Sequence, residues 1–481
     1  KRRRKNFMTD HSMNAVSFEI ELLDKHKDYR NQYKSNDLYW GVGIENECYL
    51  EFENHRAVDK HFLLTKGLHE KYSVDHFKNY KENIFQNSLQ KILSDKEYYL
   101  PVLMNSHSFT KTDINNQHKV FDPIDNEPNP EFSGESIFEI LQKHNPYFID
   151  ELQKEFIFDG DTIEFVTQKF YKTDIDSAIT ELATIKQGFI KNLQSAFHKE
   201  KIFTEYGSIK ICSENHPFAI FISNNTNYSV FNNMTYHFNL TIPTELNKDG
   251  EIKDKIDFIK KHHRAIRLFQ WLSPLFMIKF GSSDYLSHND SSVNLTKASQ
   301  RCAMSRYIGV GTYDTNVMKT GKIVQMNFDE HPMHENPLWW VNRYSKISDY
   351  EKIDKIGLDI NFHKHKNHGI EFRMFDYFDE KHLQEVLNFL VFIMDHALLN
   401  AIENPICDLE WNNLVYESII HGKETVVPQD YITVLEKILA MKIASNDPIA
   451  IYNKIYANLQ DKYYENGFCS SLLIKKNAVT H

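Results

Sequence analysis

Between Gly41 and Asn54 the chain reads GVGIENECYLEFEN, with Glu45, Glu47, Glu51 and Glu53 set against Ile44, Cys48, Leu50 and Phe52. Successive side chains leave a strand on opposite faces, so this alternation predicts a strand with one carboxylate face. FIFDGDTIEFVT, starting at Phe156, predicts a hairpin turning at Asp-Gly. Ile175, Ile179, Leu182, Ile185, Phe189 and Leu193 then recur at helical spacing, with Asp174 placed to cap the helix. Between Lys201 and Ile242 three strands are expected, in FTEYGSIKI, PFAIFIS and MTYHFNLTIP. A second helix, IDFIKKHHRAIRLFQWL, presents Ile259, Ile266, Phe269 and Leu272 to a core and meets Pro274, after which LFMIKFGSSDY continues as a buried segment.

Flanking text is less regular. Val16, Ile20 and Leu23 form a short helical pattern ahead of the acidic strand. Residues 55–147, with turn-rich DPIDNEPNPEFSGES, read as a large insertion. From Glu380 the pattern is helical and carries no cluster of catalytic residue types, so residues 381–481 are expected to buttress a catalytic region spanning 1–380.

The chain has 481 residues with 41% hydrophobic and 25% charged positions, an ordinary globular composition. Its 34 Phe and 25 Tyr against 16 Gly point to an ordered, aromatic interior. A formal charge of -10, with no basic stripe beyond the opening KRRRKNF, argues against nucleic-acid binding. Cys48, Cys212, Cys302, Cys407 and Cys469 are scattered without CxxC spacing, which disfavours a disulfide framework or a zinc site. No apolar run approaches the roughly 20 residues of a membrane helix. A soluble, cytoplasmic protein that binds no membrane is therefore expected.

Glu45 and Glu47 point the same way about 7 Å apart, and like carboxylates at that spacing repel unless a cation joins them. Magnesium or manganese suits such hard oxygen ligands; the alternative is a solvated acidic face. Glu51 and Glu53 are expected to run on toward solvent. Glu164 sits mid-strand in TIEFVT. His237, Asn239 and Thr241 share one face of NMTYHFNLT, and Glu371, Arg373 and Phe375 share one face of GIEFRMFDYF. The last pair is either a local ion pair or a metal ligand beside a phosphate grip, as phosphoryl transfer requires. Beyond Arg56 the arginines are Arg264, Arg267, Arg301, Arg306, Arg343 and Arg373, in a chain that otherwise favours Lys. Planar, bidentate donors suit phosphate or carboxylate. Arg264 and Arg267 lie on a helix and can be surface residues, so Arg301, Arg306, Arg343 and Arg373 carry more weight. The chain has no GxxxxGK[ST], strand-linked GxGxxG, GxSxG or HExxH.

Taken in order, GIENE, TIEFVT, YHFNLT, WLSPLFMIKFGSSDY, SQRCAMSRY and GIEFRMFD resemble the acidic strands and connecting elements of the glutamate-cysteine ligase and glutamine synthetase superfamily of carboxylate-amine ligases. The resemblance implies an α+β fold, with a large, mainly antiparallel curved sheet, a funnel or half-barrel, flanked by helices. It also implies an ATP-dependent enzyme that phosphorylates a substrate carboxylate, after which an amine attacks the acyl phosphate to form an amide bond. Glu45, Glu47, Glu164 and Glu371 would hold two or three Mg2+ or Mn2+ ions, and His237 and Asn239 would line the nucleotide. Arg373 would contact ATP phosphates, and Arg301 the transferring phosphoryl group or the substrate carboxylate. Small amino-acid or peptide substrates are implied, with glutamate or a similar amino acid as carboxylate donor. The chain departs from the family in its long insertion and in FTEYGSIKICSE, where Glu205 or Glu214 could replace a ligand. An inactive ligase-fold protein or a metal-dependent phosphohydrolase are the alternatives.

Overall fold

In a computed structural model the chain is described over residues 38–54, 136–159, 162–167, 174–212, 235–245, 252–282, 297–307, 311–317, 319–322, 359–362 and 369–466, with short pieces at 102, 104, 121–122, 127–128 and 247. The helix expected around Val16 to Leu23, the strand in PFAIFIS, Glu214, Arg343 and Cys469 lie outside the described residues.

The acidic stretch forms β1 (Leu38–Cys48) and, after a break at Tyr49, β2 (Leu50–Phe52). β3 (Phe121–Asp122) and β4 (Glu127–Pro128) pair with each other. They are followed by α1 (Ile137–His144), α2 (Tyr147–Asp150) and the hairpin strands β5 (Phe156–Asp159) and β6 (Thr162–Val166). α3 (Ile175–Glu200) begins as its sequence predicts, with the Asp174 carboxylate accepting from the Ser177 N–H at 2.7 Å. FTEYGSIKI divides: Thr204–Tyr206 is a 3-10 turn and only β7 (Ile209–Ile211) is strand. β8 (Tyr236–Glu245) precedes α4 (Lys255–Phe280) and α5 (Gln300–Tyr307). β9 (Thr312–Asp314), β10 (Lys319–Lys322), β11 (Ile360–Phe362) and β12 (Ile370–Phe372) complete the strands. The C-terminal region is helical, through α6 (Leu383–Leu399), α7 (Leu409–His421), α8 (Gln429–Leu439) and α9 (Pro448–Asn466).

Six strands form one antiparallel sheet in the order β11-β12-β8-β1-β6-β5, open at both edges. One face is aromatic and aliphatic: Phe269 of α4 meets Phe372 at 4.4 Å between ring centres, and Phe189 of α3 meets Phe165 at 5.2 Å. α3, α4 and α6 cover that face, and the C-terminal helices extend the same core outward through α4 and α6. No helix among the described residues is long and apolar enough to cross a membrane.

α4 does not stop at Pro274; it continues through it to Phe280. Proline lacks the N–H that would bond the Gln270 carbonyl, so that oxygen needs other donors. The Trp411 indole donates to it at 2.6 Å and the Ser273 hydroxyl at 2.8 Å. The neighbouring Trp271 carbonyl accepts from the Tyr431 hydroxyl. Distant helices thus repair the break that the sequence announces.

Glu51 departs from expectation. The break at Tyr49 takes β2 out of the main sheet to pair with β7, where Glu51 lies opposite Lys210 and forms a 3.0 Å ion pair. Glu51 is therefore buried, while Glu53 is exposed as expected.

Candidate active site

Cross-strand register decides which side chains meet. Residues directly opposite in an antiparallel pair project to the same side. Glu164 faces Glu47, Glu45 faces His237, Asn239 faces Glu371, and Glu371 faces Asn361. With Glu47 two residues from Glu45, and Asn239 two from His237, one continuous face on β6, β1, β8, β12 and β11 carries four glutamates, a histidine and two asparagines. Gly43 and Gly41 carry that face onward without side chains, beside Asn239 and Thr241. All four glutamates and His237 are buried. The helix-covered face opposite is Ile44, Phe165, Phe238 and Phe372, so a one-residue slip would put carboxylates into the core.

His237 is the hub. Its Nδ1 lies 3.2 Å from Glu45 Oε2 and 3.7 Å from Glu371 Oε1, and its Nε2 lies 3.6 Å from Glu47 Oε1. Arg301, on α5, donates from Nη2 to His237 Nε2 at 2.8 Å and from Nη1 to the Thr235 hydroxyl at 3.0 Å. Thr235 in turn donates to Glu47 Oε2 at 3.0 Å. Asn239 donates to Glu45 Oε1 and Asn361 to Glu371 Oε2, each at 3.0 Å. Arg373 pairs with Glu371 Oε1 at 2.7 Å, the local ion pair that the E-x-R spacing allows.

An arginine has no acceptor, so an imidazole that receives its N–H at Nε2 carries its own proton on Nδ1, directed at Glu45. Burial and the neighbouring Arg373 and Arg301 hold His237 below its ordinary pKa, against the pull of Glu45 and Glu47. Burial works in the opposite sense on Glu47. There His237, the guanidiniums of Arg301 and Arg373 and the Thr235 hydroxyl outweigh it, and the pKa lies below the usual glutamate value.

One ligand atom each from Glu45, His237 and Glu371 falls within 4.8 Å of the others. Ligand atoms about 2.1 Å from a small divalent ion stand roughly 3 Å apart when adjacent and 4 Å when opposite, so these three fit one ion. Charge agrees: four carboxylates against the guanidiniums of Arg301 and Arg373 leave two negative charges when His237 is neutral. The imidazole can ligate through Nδ1 only as the other tautomer. Its Nε2–H would then turn from Arg301 to the Glu47 carboxylate, the usual way an outer carboxylate orients a metal-bound histidine.

Arg306 belongs elsewhere. It is fully buried, pairs with Asp359 at 2.8 Å, and donates to the Ser273 hydroxyl at 3.1 Å. Phe375 is likewise not on the carboxylate face: β12 ends at Phe372, and the Phe375 ring packs against Phe238 at 5.1 Å on the apolar side. Glu205 is exposed on the 3-10 turn. Arg264 and Arg267 are half-buried. Thr235, Asn361 and Asp376 are participants without a sequence signal. Asp376 accepts from the Arg301 N–H at 3.2 Å and the Ser282 N–H at 3.0 Å, fixing the start of α5 and so the reach of Arg301.

No protein-family model matches the chain. It is 35% identical over 468 residues to the uncharacterized protein R704 of Acanthamoeba polyphaga mimivirus, covering 97% of this chain and 82% of that protein, and it belongs to the same family. Among solved structures, a bifunctional glutathione synthetase from Pasteurella multocida aligns at a TM-score of 0.37 and 10% identity, over 94% of this chain and 49% of that one. The chain thus spans about half the length of that enzyme, and the likeness is too weak to establish a shared fold.

Proposed function

We propose that this chain, a member of the mimivirus protein's family, is an ATP-dependent carboxylate-amine ligase that works with Mg2+ or Mn2+. The reading rests on one observation: Glu45, His237 and Glu371 converge within 4.8 Å on a buried sheet face that also carries Glu47 and Glu164 and is bordered by Arg301 and Arg373. The order of the acidic strands along the chain, which resembles the glutamate-cysteine ligase and glutamine synthetase superfamily, supports it.

In this reading Glu45, Glu371 and His237 Nδ1 hold a divalent ion, and Glu47 and Glu164 lie beside them for a second. A bound ion supplies charge neutralisation at phosphate oxygens. Arg373 and Arg301 complete that neutralisation from the protein side, each able to present a planar pair of donors. A substrate carboxylate oxygen attacks the γ-phosphorus and ADP leaves. The amine nitrogen then attacks the acyl carbon, the carbon–oxygen bond to phosphate breaks, and the amine gives up a proton. Glutamate or a similar amino acid is the proposed carboxylate donor. Thr235 and Asn239 hold Glu47 and Glu45 in place without adding charge.

The test is ADP release across pairs of amino acids with Mg2+ or Mn2+. Release that needs both a carboxylate and an amine supports the ligase. Release of phosphate from ATP without an amine would make the protein a phosphohydrolase, and absence of metal-dependent nucleotide binding by calorimetry would make it a non-catalytic binding protein.

A further inference from the structure

A cavity of about 740 Å³ opens at the N-terminal half of α4, between that helix and residues 401–403. Ligand pockets commonly span roughly 300–1,000 Å³ and combine apolar walls with a few polar groups. Among the described residues its wall carries the permanent cations Lys260, Arg264 and Arg267 and one carboxylate, Glu403. The cations stand at i, i+4 and i+7 on α4, so they share a face. Ile256, Ile259 and Ile402 supply apolar wall, and Ile256 is 81% exposed beside the charges. α4 packs on the apolar face of the sheet, where His263 meets the Phe362 ring, so the sheet separates this cavity from the glutamates.

Both guanidiniums are held in place by neutral acceptors. Arg264 donates to the Leu398 carbonyl at 2.9 Å. Arg267 donates to the Ile402 carbonyl at 3.0 Å, the Thr315 hydroxyl at 2.7 Å and the Asn316 side chain at 3.3 Å. These bonds orient the cations without cancelling their charge. Burial depresses the Arg267 pKa, Asp314 opposes that shift and Arg264 adds to it, so the two like charges repel. An anion between them would relieve the repulsion and meet pre-oriented donors.

We infer that this cavity is a second binding site, for a small organic anion with an apolar body and a carboxylate or phosphate head. It is independent of divalent metal. Calorimetric titration of the full chain in EDTA with phenyl phosphate and with benzoate tests it and distinguishes the two head groups. The expected result is submillimolar binding of at least one probe, weakened by about tenfold or more in Arg264→Gln/Arg267→Gln and unchanged in Glu45→Gln. Should the double variant fail to fold, Lys260→Glu at an exposed position replaces it and should weaken binding severalfold. Failure of both probes, equal binding by inorganic phosphate, loss of binding in Glu45→Gln, or indifference to the cation variants would each overturn the inference.

Discussion

Two arginines five residues apart on α5 sit in opposite kinds of polar surroundings. Arg306 has a private partner: Asp359 takes its charge at 2.8 Å, and the guanidinium lies 5.5 Å over the Trp411 ring, whose indole N–H serves the carbonyl freed by Pro274. Arg301 is arranged differently. Its guanidinium touches an imidazole and a hydroxyl, with Glu47 at 4.0 Å, in a group where carboxylates outnumber guanidiniums. A structural arginine comes with its own countercharge, whereas surplus charge of one sign on a buried face marks a place where something else is meant to bind.

The contrast can be broken most severely at Arg306. Arg306→Leu strands Asp359 in the core and should lower unfolding free energy by about 3–5 kcal/mol in urea melts, while Arg306→Leu/Asp359→Leu should regain most of it. A loss below about 1 kcal/mol would erase the distinction. Next is Asp376, which burial raises to about 7 despite hydrogen bonds from Arg301, Ser282 and Ser299. A carboxyl whose folded pKa exceeds its unfolded value of about 3.9 contributes stability that is full below pH 4 and lost as pH rises through 7. The wild type should lose on the order of 4 kcal/mol across that window. Asp376→Asn should remove this slope, and an unchanged slope would show that Asp376 is ionised throughout.

On the Arg301 side, Mn2+ at about 100-fold over its Kd should stabilise the chain by about 2.7 kcal/mol, read as a rise in Tm. Glu45→Gln or Glu371→Gln should abolish the rise and metal-dependent ATP turnover; a rise that survives in both would dissolve the proposed metal site. Trp411→Phe removes the donor to Gln270 and should cost about 1–3 kcal/mol. The cost should shrink on a Pro274→Ala background, where the restored N–H takes over, and equal costs in both backgrounds would refute that account. Smallest in stability is Arg301→Lys, expected within about 1 kcal/mol of wild type, because no buried carboxylate depends on it alone. Its ATP-dependent turnover should nevertheless fall by about 100-fold, since an ammonium cannot reproduce the two-pronged contact. Full activity in that variant would return Arg301 to the structural class.

Local patterns were readable in the sequence where the cause is local. The alternation around Glu45 and Glu47, the Asp174 cap and the spacing inside α3 depend on neighbours a few residues away, and they appear in the fold as read. The helical C-terminal region follows from the same patterns, whereas the antiparallel α+β sheet is implied by the resemblance and not by the patterns. What a sequence hides is pairing across distance. Arg301 and Arg306 look alike until Asp359 comes back from 53 residues downstream to claim one of them. Thr235 and Asn361 are neutral residues whose importance exists only through β8 and β11 register. Glu51 misled for the same reason, because β7 buries it, and the donors from α7 and α8 that carry α4 through Pro274 are equally distant in sequence.

Pro274 also bears on how the chain is made. The indole that completes α4 is 141 residues downstream of Gln270, and the hydroxyl serving Trp271 is 160 residues downstream of its acceptor. At synthesis rates of about 5–20 residues per second, the second half of α4 waits roughly 7–30 s for those donors to be translated. Phe276 and Phe280, which later pack against Tyr452 of α9, have no such cover in that interval. The nascent chain therefore carries an uncovered apolar half-helix until α7, α8 and α9 emerge, so a chain cut before α7 should aggregate more readily than one that carries these helices.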